Sequence, residues 1–240
     1  MTFIDRTTTL RRTPMTSLRK TALIAGATYL LTFVSIPTLA LYRAVRDDPY
    51  YIVGPGPDTP VLLGGFLEIV VALACIGTAV VLYPVVKRQN QGAAMGFVGA
   101  RILEAATIFT GVATLLSVVT LRQAGAGADA VATGQALVAL NHWVTLLGQG
   151  LLPAVNALLL GSLLYRSRLV PRIIPLVGLI GAPLLVASGI ATLFGLKEQV
   201  SGLSAIAVLP IALWEFSLGV YLVVKGFNTT RGYEVRTVDA

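Results

Sequence analysis

Six stretches of about 20 or more mostly apolar residues divide this chain, at positions 21–41, 61–86, 93–121, 130–165, 173–196 and 201–224. A bilayer core about 30 Å thick is crossed by roughly 20 residues of helix, so each stretch is long enough to span it. In lipid the backbone must satisfy its own polar groups, which a helix does within one segment. A transmembrane barrel would show short alternating strands, and these stretches do not alternate. Only 12% of the 240 residues are charged, against about 25% in soluble domains, and the mean hydropathy is +0.81. Disorder and a water-soluble globule are therefore excluded. A single Cys excludes an intrachain disulfide, and a single His excludes every motif built on two. The expected fold is all-α: an integral membrane bundle of six transmembrane helices, with a short interfacial helix before the fourth span.

The fourth stretch is too long for one span, because residues 130–165 would reach about 54 Å as a helix. The reading is a spanning helix over 141–165, preceded by an interfacial or partly re-entrant helix over 130–140. Residues 1–20 and 227–240 read as polar tails around one transmembrane domain at 21–226. The N-terminus resembles a signal peptide, but its apolar run exceeds the usual 7–15 residues, so a retained first helix is expected.

The loops sort by charge. Of the 18 Lys and Arg, Arg43, Arg46, Arg122 and Lys197 fall on one side, Arg101 lies within a span, and the other thirteen share the side of the termini. The positive-inside rule then predicts cytoplasmic termini and a cell membrane location, inner or plasma. The net charge of +7 reads as topology and attraction to anionic lipid, not nucleic-acid binding. The loop at 47–60 carries Pro49, Gly54, Pro55, Gly56, Pro57 and Pro60, a density that prevents helix and fixes turns. It reads as an interfacial cap or a lid over a cavity. Asp58 or Thr59 would cap the second helix, with Pro60 in its first turn.

Several segments carry a resemblance. They are Asp48-Pro49-Tyr50-Tyr51-Ile52-Val53-Gly54-Pro55-Gly56, Leu67-Glu68 through Tyr83-Pro84-Val85-Val86-Lys87-Arg88, and Ala100-Arg101-Ile102-Leu103-Glu104. Residues 158–171 and Trp214-Glu215-Phe216-Ser217-Leu218-Gly219 through Lys225-Gly226-Phe227 complete the set. Together they resemble the bacterial multi-pass family known as domain of unknown function 4386, over residues 18–227. The resemblance implies one six-helix domain and brings no reaction, substrate or functional residue.

Ionisable groups inside spans are the most informative residues, since a mid-bilayer charge costs at least about 2.5–3.5 kcal/mol. Glu68, Arg101, Glu104 and Glu215 are the four, with Asn141, His142, Gln149 and Asn156 as polar companions. Helical rise places Glu104, Glu215 and Asn156 near one depth, Arg101 one turn further toward the termini, and Glu68 with His142 near the other side. Arg101 and Glu104 are three apart and share a helix face. The cluster is a self-neutralising pair that also holds Glu215, a proton site, or a catalytic group. In the second case two carboxylates share one guanidinium, and one of them holds a proton near neutral pH. His142 beside Trp143 reads as an interfacial anchor, or as a relay if it meets Glu68. No metal site and no cofactor are expected.

Pro153 and Pro210 read as helix breaks, either packing kinks or parts of a broken-helix site, and Pro37 and Pro183 act likewise. Gly92 and Gly96 form a small-residue motif for packing within the bundle or for oligomerisation. Cys75 reads as an inert buried residue. Walker, GxSxG, HExxH and GxGxxG signatures are absent. The catalytic set is empty and the enzyme question open. The favoured reading is a small proton-coupled transporter or permease using the buried carboxylates on a small-molecule or cation substrate. The alternatives are an intramembrane enzyme acting on lipid and a non-catalytic structural or sensory subunit. Membrane lipids are the expected partners.

Overall fold

The computed structural model describes residues 17–197, 199 and 201–228. The polar tails at 1–20 and 227–240 lie outside the described residues except at 17–20 and 227–228. The helices are α1 (Ser17–Leu31), α2 (Thr38–Leu41), α3 (Arg43–Asp47), α4 (Thr59–Val86), α5 (Gln91–Gln123), α6 (Val131–Leu147), α7 (Leu152–Ser167), α8 (Ile173–Leu193) and α9 (Gly202–Val224). No strand occurs among the described residues. Six stretches are long and apolar enough to cross a membrane: Ser17–Leu41, Thr59–Val86, Gln91–Gln123, Ala128–Ser167, Ile173–Leu193 and Gly202–Val224. This is a multi-pass membrane protein.

The spans close into a ring in chain order. α1 packs on α4, α4 on α5, α5 on α6 and α7, α7 on α8, α8 on α9, and α9 returns to α1. One end of the bundle carries the start of α1, the end of α9 and the turns after α4 and α7, and the other carries the loop between α3 and α4. α4 shows how the sequence sets its own orientation. Leu62, Phe66, Leu73 and Val80 are exposed on its outer face, while Glu68, Ala72, Cys75, Ala79 and Leu82 are buried. Apolar side chains thus face outward, where lipid would lie, and the ionisable ones face the ring. Hydroxyls cost little in such helices because they bond back to their own turns, as Thr78 does to Cys75 O at 2.7 Å and Thr114 to Gly111 O at 2.7 Å.

Small residues set the closest approaches. A Cβ on Gly26 of α1 would lie 2.6 Å from Gly219 O of α9, so only hydrogen fits where those two backbones meet. One on Gly178 of α8 would lie 2.5 Å from Cδ2 of Trp214, so this glycine seats the indole of α9 in the ring. The Gly92–Gly96 motif is placed differently. Gly96 faces Leu159 of α7, and Gly92 faces the side chain of Asn90. Asn90 caps α5 by accepting from Ala93 N at 2.9 Å. At the start of α1, Arg19 donates to the α9 carbonyls of Leu222 at 3.0 Å and Val223 at 2.6 Å. Gly226 then adopts φ +77, a left-handed turn that ends α9.

Two spans are interrupted. α1 passes into a tighter 3-10 turn at Thr32–Ser35, where Phe33 O is met by Ile36 N at 3.1 Å, because Pro37 has no N–H to offer. The fourth stretch is two helices, as its length requires, but the break falls at 148–151 rather than at 140–141. α6 runs unbroken through Leu140 and Asn141. Gly148 and Gly150 are poor helix formers, and Pro153 cannot donate to Gln149, so the helix fails there. Pro153 therefore stands at a break, in the first turn of α7. Pro210 does not, since α9 continues on both sides of it, and Pro183 is likewise inside α8.

Candidate functional site

Five helices deliver side chains to one polar cluster inside the ring. Arg101 of α5 is 1% exposed and stands at its centre. Its Nη1 donates to Glu104 Oε2 at 2.9 Å, and its Nη2 to Glu215 Oε1 of α9 at 2.7 Å. Asn156 Nδ2 of α7 donates to the same Glu104 oxygen at 2.7 Å. Cys75 of α4 offers its sulfur to Arg101 Nη1 at 3.6 Å, and the guanidinium lies 5.1 Å from the ring centroid of Tyr29 on α1. Tyr29 meets Trp214 edge-on, with centroids 6.5 Å apart. The expected common depth is thus a chain of contacts, with Glu104 and Glu215 on Arg101 and Asn156 on Glu104.

The cluster is not saturated. Glu104 Oε1 and Glu215 Oε2 accept no hydrogen bond among the described residues. Arg101 Nε, Asn156 Oδ1, Tyr29 Oη and Trp214 Nε1 are buried without a partner. Each such orphan costs about 1–3 kcal/mol, so the cluster keeps hydrogen-bonding capacity that a purely packed core would have eliminated. One guanidinium faces two carboxylates, a formal excess of one negative charge when both are ionised.

A second polar layer lies toward the α3–α4 loop. On α4, Glu68 precedes Cys75 by two turns, and on α5, Glu104 precedes Gly111 by two turns, a separation of about 10 Å in each case. Glu68 is 7% exposed and lies 3.4 Å from Thr38 Oγ1, whose proton goes to Ser35 O at 2.6 Å, with Gln149 of the α6–α7 break as a polar neighbour. Both interrupted spans therefore bring a polar residue near Glu68. Asn141 Nδ2 donates to Gly111 O at 2.9 Å, and Asn141 Oδ1 accepts from Arg46 Nε at 3.1 Å and Nη2 at 2.8 Å. Burial lowers the Arg46 guanidinium from its ordinary range, and the charge of Glu68 opposes that shift. Glu68 and His142 share no hydrogen bond or ion pair. His142 instead lines a half-open cavity of about 390 Å³ with Arg46, Asp48, Tyr51 and Gln135. None of the inner-cluster residues lines it.

The Gly/Pro loop is pinned. Arg122 at the end of α5 pairs with Asp58, donating from Nε at 2.8 Å, and donates from Nη1 to Gly54 O at 3.0 Å. Tyr51 Oη and Gln123 Nε2 also donate to Asp58, at 3.0 and 2.9 Å. Asp58 holds the N-cap position of α4, yet its side chain makes no cap bond because these three partners consume it. The bond from Arg122 holds the Asp58 carboxyl below the ordinary aspartate range. Burial, then the bond to Asp58, pushes the Tyr51 phenol up to about 12.

The structure brings Arg101, Glu104, Glu215 and Asn156 together, as their depths predict, and adds Tyr29 and Trp214, which carry no charge to mark them in the sequence, and Cys75, which reads there as inert. Arg46 reads as a loop cation, and nothing in its spacing shows that it meets Asn141 of α6.

No curated protein and no solved structure matches the chain. The sequence profile of one family, described as "Domain of unknown function (DUF4386)", matches residues 24–226, which include every residue of both polar layers. A match over that much of the length settles the relationship, and the chain belongs to the DUF4386 family.

Proposed function

We propose that the protein is a small proton-coupled permease of the cell membrane, with cytoplasmic termini, whose coupling group is the Glu104–Arg101–Glu215 cluster. The observation that carries this reading is the charge count: two carboxylates share one buried guanidinium, and each keeps one oxygen unbonded. In low dielectric the second negative charge is costly, and binding one proton removes the cost. Gain or loss of that proton changes how evenly Arg101 divides between α5 and α9. The interruptions at 32–37 and 148–151, with Pro183 and Pro210 inside α8 and α9, supply places where spans can bend as that balance changes. The substrate expected on this reading is a small molecule or cation.

Infrared spectroscopy of the purified chain tests it. A protonated-carboxyl band that changes between about pH 5 and 9, and loses amplitude in Glu104→Gln or Glu215→Gln, supports the reading. A flat band in wild type and both variants rejects it. One observation favours a second reading, a non-catalytic structural bundle: Arg101 is almost fully enclosed and bonded to both carboxylates. That reading predicts the flat band, and also proteoliposomes with no proton movement.

A further inference from the structure

The cavity beside α3 has a built cationic wall that the inner cluster does not use. Arg46 is held from one edge only: Nε and Nη2 both donate to the neutral Asn141 Oδ1. Its Cζ lies 5.0 Å from the ring centroid of Tyr42, a cation–π contact. Among the described residues it forms no ion pair. Asn141 is itself anchored to Gly111 O at 2.9 Å, so the guanidinium is positioned before anything binds. The edge that Asn141 does not use belongs to a residue lining the 390 Å³ space, with the imidazole of His142 and the amide of Gln135 as further polar groups. The remaining wall is apolar, from Val45, Ile52, Val118, Val138 and Ala139. The volume falls at the small end of ligand pockets, which run about 300–1,000 Å³.

We infer that this cavity binds a monoanionic oxyanion carried on a short apolar body, its charge on Arg46 and its body against Val45, Val118 and Val138. A guanidinium with a free edge is the side chain best matched to a carboxylate or phosphodiester. The acidic group on the wall is Asp48, whose carboxylate accepts from Tyr50 N at 2.9 Å. Its charge, with those of Glu68 and Asp47 acting on Arg46, penalises a dianion more than a monoanion. The oxyanion has two sources, a soluble carboxylate or the headgroup of an anionic lipid. The inference is independent of proton coupling, since it concerns a separate site and reads binding alone.

The test uses the full chain in neutral detergent, titrated calorimetrically with hexanoate and with hexylamine. In parallel, thermal unfolding is compared in phosphatidylcholine nanodiscs with and without phosphatidylglycerol. Hexanoate binding without hexylamine binding identifies the soluble source, and stabilisation by phosphatidylglycerol alone identifies the lipid. Arg46→Gln should weaken whichever binds by about tenfold or more, from loss of a charge-assisted contact. Ala139→Trp fills the cavity without touching a charge and should weaken it similarly, which covers the case in which Arg46→Gln fails to fold. Binding that survives in Ala139→Trp, or no binding in either arm, overturns the inference.

Discussion

Replacing Arg101 with glutamine removes the one cation that joins α5 to α9 while keeping a polar side chain in place. Two charge-assisted hydrogen bonds are lost, to Glu104 at 2.9 Å and to Glu215 at 2.7 Å. Each such bond contributes about 1.5–3 kcal/mol. Breaking a buried pair from one side costs about 3–5 kcal/mol, because the surviving charge is stranded. Here two carboxylates are stranded. The expected destabilisation of Arg101→Gln is therefore about 3–5 kcal/mol. The triple variant Arg101→Gln, Glu104→Gln, Glu215→Gln carries no stranded charge and should recover about 2 kcal/mol of that. Equilibrium unfolding in mixed micelles with increasing denaturing detergent measures both, at matched pH. A loss under about 1 kcal/mol for the single variant, or a triple variant no more stable than the single, would refute the reasoning that charge balance holds the cluster.

Three further outcomes are expected. Asp58 sits below its ordinary value through its bond with Arg122, so its contribution is complete above about pH 4 and is lost as pH falls through the depressed value; Asp58→Asn should flatten the acid limb of a stability–pH curve, and an unchanged limb counts against the clamp. Gly178→Ala drives a methyl into Trp214 and should cost about 1–3 kcal/mol in thermal unfolding, whereas Gly99→Ala, with nothing within 4 Å of the added carbon, should be neutral or stabilising. Reporter fusions at either end should be active only on the cytoplasmic side, and an external C-terminus would overturn the charge-based orientation.

The residues themselves determined that this chain lives in a membrane. Apolar length and the backbone's need for internal hydrogen bonds leave helices as the only solution for stretches such as 61–86 and 93–121. They also marked Arg101, Glu104, Glu215 and Asn156, because burying charge in lipid is costly enough to be visible one residue at a time. Periodicity cannot show where a helix gives way. Asn141 and His142 looked like a helix start, and only the competition between Gly148, Gly150 and Pro153 put the break seven residues later. Nor does spacing along one chain show which faces meet. Tyr29 and Cys75 meet the arginine, and Trp214 meets Tyr29, because α1, α4 and α9 share the ring with α5, and Arg46 meets Asn141 across segments 95 residues apart. Depth along a helix is local and follows from counting residues. Azimuth around the bundle is set by packing between segments far apart in sequence, and so it was decided by the tertiary structure alone.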